Sequence, residues 1–241
     1  MRFVDSRYNR QELMPQIGSQ GQRRLRATSV VSIGAGGVKS SLLYYLVAAG
    51  VGRIRIIDFD RVELSNLNRQ ILFTTEDIGR NKAECAKRRL GLLNEEVAIE
   101  ALPQRVDEGN IDALLAGFDV VVEGGDSLAG RLLVNRYCVK TKVPMVHASA
   151  QYNYGYVLTV LPGRTACFEC VFPDLPAGHG GSVPVVGVAT GVAGVLGANE
   201  VIKLATGAGS PVTDGVLAFT GFQSDFRFVP SPRREECASC G

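Results

Sequence analysis

Strand-like apolar runs alternate with segments of helical spacing through the first 150 residues. The runs lie at 29–34 (SVVSIG), 53–58 (RIRIID), 119–124 (DVVVEG) and 143–150 (VPMVHASA), and helical spacing occupies 38–49, 81–93 and 128–140. Alternation of this kind is typical of parallel strands joined by right-handed helical crossovers. It predicts a doubly wound, largely parallel sheet whose ligands bind at the carboxyl ends of the strands.

The pattern changes after about residue 150. The segments YGYVLTVLP and GVLAFTGFQSDFRFV are typical of further strands, and an apolar helix is expected from about 190 to 205 between them. We therefore expect a Rossmann-like sheet with a mixed or antiparallel C-terminal extension. Glycine and proline predict a mobile loop over 176–191. Because no repeat or linker interrupts the sequence, we expect one domain over 1–241.

Composition narrows the classes of partner. The 241 residues carry 26 basic and 24 acidic side chains, a formal net charge of +2 that does not indicate a nucleic-acid binder. No apolar run reaches the roughly 18 residues of a membrane span, and the amino terminus shows no secretory signal. We expect a cytoplasmic protein with no membrane partner, whose six cysteines are not a disulfide framework.

A glycine-rich turn, GAGGVKS at 34–40, ends the first run. Gly34, Gly36 and Gly37 allow the backbone to approach phosphate closely, but Lys39 stands where the common dinucleotide fingerprint has its third glycine. This departure weakens the match to dehydrogenases. Lys39 either contacts a phosphate or faces solvent from the following helix.

Charged and amide side chains cluster after the second run. Asp58 ends that run, where a carboxylate can bind both ribose hydroxyls of a nucleotide. Asp60 offers a hard oxygen ligand, and the donors of Asn66, Arg69 and Lys82 follow. Hydride transfer needs no such cluster, whereas nucleotidyl transfer needs charge neutralised on several oxygens at once. The alternative for each residue singly is a surface salt bridge or a turn cap.

A further carboxylate, Asp126 in EGGDS, follows the third run and should face the same crevice. A hard cation that accompanies nucleotide phosphates usually takes only one or two protein carboxylates. Asp126 is therefore the expected Mg²⁺ ligand, or the partner of one.

Two CxxC pairs near the carboxyl terminus predict a metal site. Four thiolates can hold Zn²⁺ tetrahedrally and fasten the C-terminal tail to the domain, and two matching pairs argue against a redox motif. Cys85 and Cys138 fall in helical patterns and are expected to be buried. The predicted structural zinc ligands are Cys167, Cys170, Cys237 and Cys240.

The sequence resembles the adenylyltransferases typified by ThiF, MoeB and HesA, relatives of the adenylating domain of ubiquitin-activating enzymes. The resemblance runs nearly end to end through RYNRQ, GAGGVKS, AGVG, DFDRVELSNLNRQ, DIGRNKAE, EGGDS, CFEC, GANEVIKLATG and CASC. It implies an enzyme that binds ATP with Mg²⁺, joins a carboxylate to AMP and releases pyrophosphate.

The resemblance also implies a role for each matching residue. It implies phosphate contacts from Asn66, Arg69 and Lys82, ribose binding by Asp58 and Mg²⁺ binding through Asp126. Arg10 matches an arginine that reaches into the partner subunit's ATP site, which implies a homodimer. The glycine-turn contacts come from Gly34, Gly36 and Gly37.

One departure from the family bears on the substrate. Sulfur-transfer members often carry an acceptor cysteine after the first zinc pair, but VFPDLPAGHGGSVPVVG has none. Ser182 is not an expected substitute, because an unactivated hydroxyl needs an adjacent base and the local candidate, His179, is expected to be a loop residue. His147 is expected to be a satisfied core histidine. We therefore expect a separate downstream acyl acceptor. The sequence also looks similar to the family member that acts in Fe-hydrogenase cofactor biosynthesis, and this resemblance implies the carboxylate of guanylylpyridinol as the leading substrate.

Three alternatives stay open. The first is adenylation of the C-terminal Gly-Gly of a ubiquitin-like sulfur carrier, of the thiamin or molybdopterin type. The others are an NAD-dependent oxidoreductase, for which the two histidines offer no good acid or base, and a non-catalytic scaffold, which would be expected to have lost charged site residues.

Overall fold

An eight-stranded sheet organises residues 7–125, 127–174 and 183–241, the part of the chain that this computed structural model describes. The spatial order follows β3-β2-β1-β4-β5-β6-β7-β8, parallel from β3 to β5 and antiparallel from β5 to β8. The predicted fold class, with its antiparallel extension, is confirmed. The strands are β1 (Ser29–Ile33), β2 (Arg53–Ile57), β3 (Ala98–Leu102), β4 (Val120–Glu123), β5 (Met145–Gln151), β6 (Tyr154–Val160), β7 (Gly215–Thr220) and β8 (Asp225–Pro230).

Helices connect the parallel strands and precede them. Short 3-10 turns at Leu64–Asn66 and Thr75–Asp77 lie between β2 and the helix that follows it. The α-helices are α1 (Asn9–Glu12), α2 (Gly18–Ala27), α3 (Gly37–Ala49), α4 (Lys82–Leu93), α5 (Ile111–Leu115), α6 (Leu128–Thr141), α7 (Phe168–Val171) and α8 (Gly187–Thr206).

Both faces of the parallel strands are covered. Val30 and Ile54 belong to one buried cluster, which includes α3, α4 and α8, whereas Val31 and Met145 belong to a second cluster with α5, α6 and α7. Successive strand residues point to opposite faces, so a strand buried on both faces is apolar at every position. This burial explains the mostly apolar sequences of β1, β4 and β5, whereas β2 carries Arg53 and Arg55 on one face.

Helix α8 covers the sheet beside α3. A Cβ at Gly194 would lie 2.1 Å from the carbonyl oxygen of Val38, so only glycine allows this approach of the two helices. Within the described residues, α8 is the one helix that is long and apolar enough to cross a membrane. Its contacts with α3, β5 and β6 explain that composition as core packing.

Two parts of the structure differ from the predictions. The predicted loop over 176–191 is wrong at its end, because α8 begins at Gly187; a Cβ there would lie 2.4 Å from the Asn68 carbonyl oxygen, so glycine serves close packing. Residues 175–182 of the same region, with His179 and Ser182, lie outside the described residues. Strand β3 and helix α5 were not predicted.

Candidate active site

A cavity of about 660 Å³ opens at the carboxyl ends of β1, β2 and β4. Parallel strands gather their following turns at one edge of the sheet, so side chains distant in sequence line one crevice. The predicted site residues that line it are Gly34, Gly36, Gly37, Asp58, Asp60, Arg69 and Lys82.

The glycine turn forms the anion-binding wall of the cavity. Gly34 has a φ of 89°, a left-handed conformation that favours glycine, and its N–H donates to the Ile57 carbonyl oxygen at 2.7 Å. Helix α3 begins at Gly37 without a side-chain cap. Its first N–H groups and the positive end of its dipole therefore face the cavity, an arrangement suited to phosphate.

Asp58 lies next to the glycine turn and is buried. Its Oδ2 accepts from the Ala35 N–H at 2.8 Å, and its Oδ1 accepts from the Asp60 N–H at 2.9 Å. Burial raises the pKa of Asp58, although these two N–H groups and Lys82 oppose the rise. Each oxygen keeps unused acceptor capacity, which two vicinal hydroxyls can occupy.

Two cationic side chains, Lys82 and Arg69, also line the cavity. Lys82 begins α4, and its Nζ lies 3.1 Å from Oδ2 of Asp60. The Arg69 Nη1 atom donates to the Ser65 carbonyl oxygen at 2.8 Å and to Oδ1 of Asn68 at 3.0 Å, which holds the guanidinium at the cavity rim. This pair of cations can neutralise charge on phosphate oxygens.

Two predicted site residues, Asn66 and Arg10, do not line the cavity, and a third lies outside the described residues. Asn66 is buried in its 3-10 turn, where its Oδ1 accepts from the Glu63 N–H at 3.2 Å, and it does not line the cavity; its phosphate contact stays a prediction. Asp126 lies outside the described residues. Arg10 lies on α1, and the neighbouring Gln11 donates to the Ala49 carbonyl oxygen at the opposite end of α3 from the glycine turn.

A buried polar chain that joins the end of β4 to the middle of β5 was missed by the sequence analysis. Glu123 and His147 are register partners, and the Oε2 atom of Glu123 lies 2.7 Å from Nδ1 of His147. The other ring nitrogen lies 3.1 Å from the Tyr156 hydroxyl. His147 is thus a satisfied core histidine, as predicted. The available signal was one polar residue inside each of two apolar runs, Glu123 late in the first and His147 in the middle of the second.

The protonation of this chain follows from burial and charge. Burial alone would raise the pKa of Glu123, but His147, Lys39 and the Gly125 N–H lower it to about 2. Burial lowers the pKa of His147 against the opposing effect of Glu123. We assign an ionised Glu123 that accepts from Nδ1–H of a neutral imidazole, whose Nε2 accepts from Tyr156.

Lys39 also lines the cavity and does not face solvent. It is 3% exposed, and burial lowers its pKa to about 8, with Glu123 raising it and Arg131 lowering it. Of the two alternatives from the sequence, the solvent-facing one is therefore wrong.

The four predicted zinc ligands converge at α7, which Cys167 precedes and which contains Cys170. Their sulfur atoms lie within 4.8 Å of one another, with Cys167 3.6 Å from Cys237 and Cys170 3.4 Å from Cys240. Zinc–sulfur bonds of about 2.3 Å in a tetrahedron place sulfurs about 3.8 Å apart, so the cluster fits Zn²⁺. Burial opposes ionisation of Cys237, but the N–H groups of Ser239 and Cys240 and the neighbouring thiols lower its pKa to about 7.

The two remaining cysteines are buried, as predicted. Cys85 lies in α4 and Cys138 in α6, and they are 5% and 0% exposed. Burial raises the pKa of both thiols, which opposes thiolate chemistry at either position.

The fold and this cavity define a nucleotide-binding protein of the Rossmann-like α/β class. The ThiF family model matches residues 8–239. The chain belongs to the ThiF family, and it is an ATP-binding adenylyltransferase.

Individual relatives support this assignment over nearly the whole chain. The sulfur carrier protein adenylyltransferase of Thermus thermophilus is 40% identical over 246 residues, which cover 98% of this chain and 90% of the relative. The SAMP-activating enzyme E1 of Haloferax volcanii is 36% identical, over 98% of this chain and 88% of the relative. The crystal structure of E. coli MccB with ATP matches at a TM-score of 0.85 and 25% identity, over 99% of this chain and 75% of that chain.

Proposed function

We propose that this adenylyltransferase activates the C-terminal carboxylate of a ubiquitin-like sulfur carrier as an acyl adenylate. The proposed identity of the substrate rests on the 40% identity to the Thermus sulfur carrier protein adenylyltransferase across 90% of that relative. The cavity supports the reaction, because it combines an anion-binding helix terminus with a carboxylate suited to ribose.

The chemistry needs no protein nucleophile. A carboxylate oxygen of the substrate attacks the α-phosphorus of ATP, the bond to the β-phosphate oxygen breaks, and pyrophosphate leaves with the electron pair. The enzyme holds the two reactants together and neutralises charge on the phosphate oxygens. In this proposal Asp58 holds the ribose, the glycine turn binds phosphate, and Arg69 and Lys82 neutralise the leaving group.

Mg²⁺ is proposed at Asp126. The neighbouring carboxylates are engaged, since Asp58 accepts two backbone N–H groups and Asp60 pairs with Lys82. A bound Mg²⁺ would lower the charge on the phosphate oxygens, and its preference for oxygen ligands suits an aspartate beyond a strand end.

Arg10 is proposed to act in the partner's site of a homodimer. Helix α3 has 13 residues, so its two ends lie about 20 Å apart. Gln11, next to Arg10 in α1, donates to the Ala49 carbonyl oxygen at the carboxyl end, and the cavity lies at the amino end, which supports a role for Arg10 outside its own site. A guanidinium supplied by a second subunit would stabilise phosphate charge as an arginine finger does.

The acyl group is proposed to pass to another protein. Four of the six cysteines form the metal cluster, and the other two are buried with raised pKa values. Because none of the six cysteines is an available nucleophile, a downstream acceptor enzyme is favoured. It also keeps the carboxylate of guanylylpyridinol, the substrate of the family member HcgE, as a second candidate, although the sulfur-carrier relatives favour the first. A single domain over 1–241 and a cytoplasmic location are parts of the same proposal.

The test is pyrophosphate exchange into ATP with three additions in parallel. One is a purified ubiquitin-like sulfur carrier that ends in Gly-Gly, the second is the same carrier without those glycines, and the third is guanylylpyridinol. We expect exchange with the intact carrier alone. Exchange with guanylylpyridinol alone would favour the second candidate, and exchange with none of the three would contradict both.

A further inference from the structure

Two buried polar atoms lack a hydrogen-bond partner among the described residues, and both belong to side chains that line the cavity. They are Nζ of Lys39 and Oε1 of Gln70. Burying a charge without partners is costly, so such atoms in a binding cavity point to groups that a ligand supplies. An ammonium has three donors and no acceptor, and the group it calls for is an anion.

The position of Lys39 depends on a glycine that follows strand β4. Gly124, directly after β4, comes so close to the ammonium that a Cβ there would lie 2.7 Å from Nζ and 2.1 Å from the Ala148 carbonyl oxygen. Lys39 is the third residue of α3, so its ammonium lies between the phosphate-binding helix terminus and the end of β4.

Glu123 supplies charge to this site without using the donors of Lys39. Its Oε1 accepts from the Gly125 N–H at 2.7 Å, and its Oε2 is bonded to His147. The nearby Arg131 Nε donates to the Gly125 carbonyl oxygen at 2.6 Å. A carboxylate fixed in this way favours the protonated lysine, while the three N–H donors of the lysine remain available.

We propose that the Lys39 ammonium binds an anionic oxygen of the α-phosphate of the nucleotide, at the reacting centre. In this proposal Glu123 is a positioning residue that keeps Lys39 protonated. The proposal deepens the proposed function and rests on it, because the nucleotide must occupy this cavity. The incoming substrate carboxylate carries the same kind of oxygen, so the experiment separates the two sources.

Calorimetric titration of the full chain with adenosine, AMP and a non-hydrolysable ATP analogue tests the assignment. The variants are Lys39→Met, which keeps the length of the side chain without its charge, and the matched control Lys87→Met at an exposed position of α4. We expect Lys39→Met to weaken AMP and the analogue at least about tenfold and adenosine hardly at all, since a hydrogen bond to a charged group is lost. The control should bind all three as the wild type does.

Glu123 is tested through the pH dependence of AMP binding. Among the described residues, the charged and titratable groups that act on Lys39 are Glu123 on β4, Arg131 on α6 and His147 on β5. Because the pKa of Lys39 is about 8, wild-type affinity should fall as the pH rises above that value. Glu123→Gln should move this fall to lower pH, whereas a merely structural role would leave its midpoint unchanged.

The outcomes are distinct. If the wild type binds no nucleotide, the proposed function and the Lys39 proposal both fail. If Lys39→Met binds AMP normally but needs at least about tenfold more of the sulfur carrier that ends in Gly-Gly in pyrophosphate exchange, Lys39 binds the carboxylate of the carrier and the α-phosphate assignment is overturned. If the variant matches the wild type in both assays, the Lys39 proposal is overturned and the proposed function stands.

Discussion

Asp58 offers the sharpest test of how the cavity holds a nucleotide, through the substitution Asp58→Asn. Both carboxylate oxygens already accept one backbone N–H, at 2.8 and 2.9 Å. An amide of the same shape has one acceptor oxygen, and its NH₂ group must face one of these N–H donors. The variant therefore loses acceptor capacity on the side where the ribose is expected.

The magnitude follows from the bonds at stake. A hydrogen bond to a charged group contributes about 1.5–3 kcal/mol, and replacing the carboxylate removes at least one such bond to the ribose, which corresponds to about 10- to 150-fold weaker binding. The effect on folding is smaller, because two terms oppose each other. The amide places a donor against a backbone N–H, but it also removes a charge whose burial raises the pKa of Asp58. We expect the free energy of unfolding to change by about 1 kcal/mol or less.

The assay measures by calorimetry how tightly the wild type and Asp58→Asn each bind two ligands, ATP and 2′,3′-dideoxy-ATP. The wild type should prefer ATP by the factor above, and Asp58→Asn should lose most of this preference. Asp119→Asn is the matched control, since the Asp119 carboxylate also accepts a backbone N–H, that of Ser29 at 2.7 Å, but lies at the amino ends of the strands. Equal discrimination by wild type and Asp58→Asn would refute the ribose assignment.

Three further predictions test the remaining parts of the site. Cys237→Ser should lose zinc, measured by mass spectrometry of chelator-free protein, and lower the unfolding midpoint by about 5 °C or more; an unchanged metal content would contradict the zinc cluster. Asp126→Ala should slow pyrophosphate exchange at least about a hundredfold with zinc and folding unchanged, and full activity would remove Asp126 from the mechanism. Arg10→Ala should be inactive alone and regain activity when mixed with Asp126→Ala, because one of the two sites in a mixed dimer is then intact; no recovery in a verified mixed dimer would exclude action in trans.

Local sequence predicted most of the fold because parallel strands covered on both faces carry a mostly apolar signal. Strands β1, β4 and β5 were found in this way, and β2 was found from a run in which Arg53 and Arg55 alternate with isoleucines. Strand β3 lies at the edge of the sheet and is half-buried, so its residues, AIEAL, lack that signal. Helix α5 has only five residues, too few for a helical period to stand out.

The candidate site divides in a similar way. Gly34, Asp58 and Lys82 each follow a predicted strand or begin a predicted helix, so topology alone brings them to one edge of the sheet. The bond between Glu123 and His147 depends instead on the register of β4 against β5, which pairs these two residues directly. Register between parallel strands is fixed by packing over the whole sheet, and no short motif encodes it.

Lys39 shows why the glycine turn could not be interpreted from its own residues. A third glycine at this position usually permits the helix to pack closely against its strand, and a lysine needs both space and a counter-charge. Gly124 provides the space, since any Cβ there would contact the ammonium, and Glu123 beside it provides the charge. The replacement of the usual third glycine by Lys39 is thus compensated by Glu123, at the end of β4, and by Gly124, which follows it. The unused donors of Lys39 favour a lysine that serves a ligand, because the carboxylate beside it is already bonded to His147 and to the Gly125 N–H.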